Sequence, residues 1–175
     1  MKLFKNIKKW LENQEHLFYL FLLILIVPNI ILCFTEPMPV VAKVCNVLLP
    51  FAFYYLLMTL SRNCGKMFWI LFLFIFFGAF QIVLLYLFGQ SIIAVDMFLN
   101  LVTTNSSEAM ELLDNLVPAL VSVIILYIPA LILAAISIIK KRKLSPEFIR
   151  RERKKAWIAL LIGFISLGAA YGLDK

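Results

Sequence analysis

LVPALVSVIILYIPALILAAISIIKKRKLSPEFIRRERKKAWIALLIGFISLGAAY, residues 116–171, contains two apolar runs, 116–139 and 156–171, separated by a basic stretch. Each run is near the roughly 20 residues that cross a bilayer at about 1.5 Å per residue. The second is shorter and carries Gly163 and Gly168, with Gly172 just beyond. Between them, KKRKLSPEFIRRERKK (140–155) has nine Lys and Arg against Glu147 and Glu152. Short loops rich in Lys and Arg stay on the cytoplasmic side of a membrane. The stretch therefore predicts a helical hairpin with its loop inside and the chain leaving the second helix outward.

Working outward, three further apolar runs precede it, at 17–34, 44–60 and 67–88. With 63% hydrophobic residues, 15% charged residues and a mean hydropathy of +0.97, the composition excludes a soluble globular domain. The expectation is an all-α membrane protein occupying residues 1–175 with five transmembrane helices. Charge alternates accordingly. Lys2, Lys5, Lys8 and Lys9 precede the first run, Lys43 and Glu36 lie in the first loop, Arg62 and Lys66 in the second, and no Lys or Arg in the third. This alternation places the N-terminus in and the C-terminus out. The first run is too long for a cleaved secretory signal, ends in CFTEPMPV without a small-residue cleavage pattern, and is followed by further spans, so it reads as retained.

The net charge of +7 follows from this topology and gives no reason to expect a nucleic-acid partner; the 140–155 loop is expected to meet anionic lipid headgroups. LFKNIKKWLENQ, residues 3–14, reads as an interfacial helix with Leu3, Phe4, Ile7, Trp10 and Leu11 on one face. Pro28 and Pro50 are candidate kinks, and Asn29 is a candidate interhelical hydrogen-bonding residue. The Phe-rich third run reads as a lipid-facing or packing surface. No inverted repeat divides the five runs, which argues against a secondary transporter. Cys33, Cys45 and Cys64 lack metal-site spacing; Cys33 and Cys45 both fall toward the outer face, where a disulfide and a filler role are both open. His16, the single histidine, cannot form a catalytic metal site alone. No metal ligand set and no catalytic nucleophile is apparent.

The third loop differs from the rest. SIIAVDMFLNLVTTNSSEAMELLDNL, residues 91–116, holds four acids and no Lys or Arg. Asp96, Asn100, Thr104 and Glu108 recur every fourth residue, drifting about 40° per step on a helix, so they form a slanting polar stripe. Ile92, Ile93, Met97, Leu101, Leu112 and Leu113 fall mostly elsewhere on that surface. Asn105 with Glu108 three residues later is a capping-box start, which predicts two amphipathic helices with a bend near Thr104 and Asn105. A carboxylate beside an amide and a hydroxyl suits a headgroup that joins an ammonium to a phosphate. The other reading is a solvated polar face on a surface helix. Asp96 and Glu111 flank the stripe and either add to an ammonium site or cap and solvate a helix.

NLVTTNSSEAMELL, Asn100 to Leu113, resembles the membrane-domain motif of the lipid A phosphoethanolamine transferases of the colistin-resistance type, which belong to the alkaline-phosphatase and sulfatase superfamily. Asn100, Thr104 and Glu108 match the family's spacing, with Asn105, Ala109, Leu112 and Leu113 in support. The resemblance implies five spans in the bacterial inner membrane, a multi-pass chain with a periplasmic C-terminus, and amphipathic periplasmic helices between the third and fourth spans. It further implies that Asn100, Thr104 and Glu108 hold the headgroup of a phosphatidylethanolamine donor whose phosphoethanolamine passes to lipid A, the change that underlies polymyxin resistance. In the family that transfer is made by a zinc-bound threonine in a periplasmic domain following the fifth span. Here only Gly172 to Lys175 follow Tyr171, so the expectation is a membrane domain without its catalytic domain, either isolated or from a truncated or split gene product. No cofactor is expected in this chain, zinc belonging to the missing domain. Two other readings stay open: a small multispan scaffold whose outer helix docks a partner, and the membrane part of another transferase of that superfamily, for which Glu108 would have less use.

Overall fold

The computed structural model describes the backbone of residues 2–78 and 106–173, with side chains over 5–78, 117 and 121–172. The described residues are helical, joined by short turns. The elements are α1 (Lys2–Glu12), α2 (Gln14–Thr35), α3 (Val40–Met58), α4 (Cys64–Ile70), α5 (Ser106–Ile139) and α6 (Pro146–Leu173). A further helical stretch, 72–78, continues α4 through Leu71, because Leu71 N–H bonds Met67 O at 2.9 Å and Ile75 N–H bonds Leu71 O at 3.1 Å.

Local chemistry sets the boundaries. Asn13 separates α1 from α2 and caps the latter, its Oδ1 accepting the Glu15 N–H at 2.9 Å. α2 runs through Pro28 and ends at Glu36, which is extended (φ −101°, ψ 136°), the conformation favoured just before a proline such as Pro37. α3 starts directly after Pro39. Asn63 caps α4 through a 2.8 Å bond from Lys66 N–H. α5 closes in a Schellman turn. Lys141 takes φ 49°, Arg142 N–H reaches Ser137 O at 3.1 Å, and Lys141 N–H reaches Ile138 O at 2.9 Å. Ser145 then caps α6, accepting the Phe148 N–H at 3.1 Å, with Pro146 in the first helical position.

Four helical segments are long and apolar enough to cross a membrane: Gln14–Thr35, Val40–Met58, Val121–Ile139 and Pro146–Gly172. The predicted third span, 67–88, is helical over its described part and otherwise lies outside the described residues. Two predicted boundaries move. The 140–155 loop shrinks to 140–145, since the cap at Ser145 starts α6 and places Arg150 to Lys155 on a helix. The second amphipathic helix of the 91–116 segment and the fourth apolar run are a single helix, α5, continuous through Pro118 and Pro129.

α2 is the most enclosed of the four. Leu17, Phe18, Phe21, Leu22 and Leu25 centre one core shared with Tyr55 and Met58 of α3, Met67 and Phe68 of α4, Tyr127 and Ala134 of α5, and Phe148 and Ala156 of α6. Phe21 stacks on Phe68 at 4.5 Å. The main helix–helix seams are α3–α6, α2–α3 and α4–α5. Large apolar side chains point outward, among them Ile125, Ile132 and Ile139 on α5 and Trp157, Leu161 and Ile165 on α6. Such extensive exposed apolar surface suits lipid as the surrounding solvent.

Candidate functional site

Asp96, Asn100 and Thr104 lie outside the described residues, as do the side chains of Glu108 and Glu111. The backbone places Glu108 third in α5, which begins at Ser106, immediately after Asn105. The start of a helix favours a carboxylate, because its free N–H groups and dipole are positive. From Glu108 to the start of the apolar run at Leu116 is eight residues, about 12 Å along the axis. A continuous helix thus connects the predicted headgroup carboxylate to a membrane-length apolar segment.

The polar chemistry that the structure does describe gathers at the basic end of the bundle. On α6 the inward positions Phe148, Glu152 and Ala156 recur at four-residue spacing, so a carboxylate occupies a core position. Glu152 is 0% exposed. Its Oε2 accepts the Tyr55 hydroxyl of α3, and its Oε1 accepts Arg151 Nε at 2.9 Å and Lys155 Nζ at 3.1 Å. Arg151 also lies over the Phe148 ring, 5.2 Å from its centroid. Arg153 donates to Thr59 O at 2.7 Å, beyond the end of α3. The α3–α6 seam is therefore closed by charge-assisted bonds, with both carboxylate oxygens satisfied.

Where α2, α4 and α5 meet, the bonds are mostly uncharged. Gln14 Oε1 accepts Ser137 Oγ at 2.7 Å and Cys64 Sγ at 3.5 Å. Asn63 Nδ2 donates to Arg142 O at 2.9 Å, and Arg62 Nε donates to Leu144 O at 3.0 Å. Leu144 N–H returns a bond to Arg62 O at 2.7 Å. Burial pushes the Cys64 thiol up to about 11, which keeps it protonated and a poor nucleophile. Among the described residues, Gln14 Nε2 and the Tyr127 hydroxyl are buried without a hydrogen-bond partner.

At the opposite end, Asn29 Nδ2 donates to Asn46 Oδ1 at 3.3 Å, and Asn46 Nδ2 donates to Asn29 O at 2.9 Å, the interhelical role expected of Asn29. Cys33 Sγ lies 3.4 Å from Lys43 O and Cys45 Sγ 3.5 Å from Ser166 Oγ, so the two thiols face different partners. All three cysteines are free. Among the described residues, no three His, Cys, Asp or Glu side chains come together as a metal site. None of the described clusters pairs a nucleophile with a base that could activate it. Their chemistry holds helices in register.

No family model, curated protein or solved structure matches the chain. The Glu152–Tyr55 junction escaped the reading by charge, which counted Glu152 only as an acid within a basic loop. The signal was present in the four-residue recurrence of Phe148, Glu152 and Ala156, which marks an inward stripe.

Proposed function

We propose that this chain is the membrane domain of a phosphoethanolamine transferase, crossing the bacterial inner membrane five times with its N-terminus in and its C-terminus out. In this reading the amide of Asn100, the hydroxyl of Thr104 and the carboxylate of Glu108 hold the headgroup of phosphatidylethanolamine. The amide and hydroxyl donate to phosphate oxygens and the carboxylate pairs with the ammonium. The observation that carries it is the four-residue spacing of the three, with Glu108 in the first turn of a helix that runs on as an apolar span. A headgroup held there sits about 12 Å from the apolar run, near the headgroup layer for a tilted helix. Transfer to lipid A belongs to a periplasmic zinc domain after the fifth span, and no chemical step is assigned to this chain. Its role is to bind and orient the donor.

The test joins this chain to a matching catalytic domain and measures lipid A modification in membranes for Asn100→Ala, Thr104→Ala and Glu108→Ala. Glu108→Ala is expected to lose about 10- to 100-fold, the worth of a hydrogen bond to a charged group. Asn100→Ala and Thr104→Ala are expected to lose less. Unchanged transfer in all three would remove the site assignment and leave the scaffold reading.

A further inference from the structure

We propose that the groove between α1 and the inner end of α5 is a binding site for one anionic phospholipid. The groove has a volume of about 480 Å³, within the roughly 300–1,000 Å³ typical of ligand sites. Its floor is apolar, made by Leu11 from α1 and by Leu133 and Ile136 from α5. Its rim is cationic, made by Lys5 and Lys8 on α1 and Lys140 just past α5.

Three observations identify the occupant as lipid. The first is charge. Glu12, the acid on the rim, is held by Arg142, whose Nη2 lies 3.8 Å from Glu12 Oε1 and whose Nη1 donates to Glu12 O at 3.3 Å. That contact also ties the end of α1 to the α5–α6 turn. Lys5, Lys8 and Lys140 have no ion pair among the described residues, so three lysines line a space whose acid, Glu12, is already paired with Arg142. The second is continuity. The exposed residues Ile132 and Ile139 flank Ile136 on the outward face of α5, so an acyl chain seated in the groove continues onto surface already suited to lipid. The third is elimination within the basic stretch itself. Arg151 and Lys155 are engaged with Glu152, and Arg153 with Thr59 O. The helical half of 140–155 therefore spends much of its charge internally, and the groove joins Lys140 to lysines of α1 that a loop-centred reading leaves apart.

A phosphate placed between Lys5, Lys8 and Lys140 would gain from each of them, and one acyl chain would cover Leu133 and Ile136. The site does not depend on the headgroup reading of Asn100, Thr104 and Glu108. It also holds for whichever leaflet the basic end of the bundle faces.

The experiment titrates the purified full chain in detergent with phosphatidylglycerol and, separately, with phosphatidylcholine, reading bound lipid by native mass spectrometry. Wild type is expected to hold phosphatidylglycerol about tenfold better. The triple variant Lys5→Gln, Lys8→Gln, Lys140→Gln is expected to lose that preference. A variant with equal charge loss outside the groove, Lys141→Gln, Lys143→Gln, Lys154→Gln, is expected to keep it. Ile136→Trp, which fills the floor without changing charge, is expected to weaken phosphatidylglycerol binding about tenfold. Equal losses from the two triple variants would overturn the site in favour of diffuse charge, as would unchanged binding by Ile136→Trp. Binding of a soluble poly-glutamate peptide as tight as the lipid, and lost in the groove triple, would overturn it in favour of an acidic protein partner.

Discussion

The α3–α6 seam and the α4–α5 seam join their helices by opposite means. In the first, a carboxylate buried on α6 gathers a tyrosine from α3 and two cations from its own helix. In the second, the backbones themselves meet. A Cβ on Gly65 would collide with Ala134 O and lie 3.0 Å from Ser137 Cβ, so glycine is what permits α4 to approach α5. Lipid is as apolar as leucine, so helices in a membrane gain little from greasy contact alone and rely on close packing or polar bonds. This chain uses one of these on each side of α2. The charged seam should tolerate added volume poorly and lost partners worse, whereas the small-residue seam should tolerate lost partners and resist any added volume.

Gly65→Leu should have the largest effect, because the obstacle is a backbone carbonyl that cannot rotate away. Overpacking of this kind costs about 3 kcal/mol or more, measured as the unfolding free energy in detergent from helical circular dichroism. A change below about 1 kcal/mol would mean that the α4–α5 approach is slack. Glu152→Ala should follow, at roughly 2–3 kcal/mol. Arg151 and Lys155 are more than half exposed and turn to solvent when released, so the cost comes from the orphaned Tyr55 hydroxyl and the emptied core volume. Tyr55→Phe should cost roughly 1.5–2 kcal/mol by removing one bond to a charged acceptor. A double-mutant cycle of Glu152→Ala with Tyr55→Phe should give a coupling above about 1 kcal/mol. Additive losses would show that the two ends of this bond act independently and that the seam is not closed by it.

The two seams also show what a sequence of this kind discloses. The apolar runs 17–34, 44–60, 116–139 and 156–171 each centre on a long helix, because a bilayer demands continuous apolar segments and leaves little else to form them. Helix starts were legible where capping chemistry is local: Asn105 before Ser106 marks the start of α5, and Ser145-Pro146 marks that of α6. The second goes unread in a reading by charge, since nine cations suggest a loop while the cap and the inward Phe148–Glu152–Ala156 spacing specify helix. The partners Tyr55 for Glu152 and Ala134 for Gly65 were not legible. They lie 97 and 69 positions away, and only the packed bundle brings them together. Of the headgroup set, the four-residue recurrence of Asn100, Thr104 and Glu108 is legible as a spacing in the sequence, whereas its convergence on a ligand depends on residues outside those described.

Ser137→Ala should have the smallest effect and separates volume from polarity within the α4–α5 seam. Alanine retains the Cβ that faces Gly65, so the close approach survives while the 2.7 Å bond from Ser137 Oγ to Gln14 Oε1 is lost. Gln14 Oε1 keeps the longer contact from Cys64 Sγ, 3.5 Å away, while Gln14 Nε2 already lacks a partner among the described residues. The expected cost is roughly 0.5–1 kcal/mol, the usual worth of an interhelical hydrogen bond in a membrane. A loss as large as that of Tyr55→Phe would show that Gln14 and Ser137 lock α2 to α5 as firmly as Glu152 locks α6 to α3. Both seams would then be polar in origin, with Gly65 giving room for the bond and not making the joint itself.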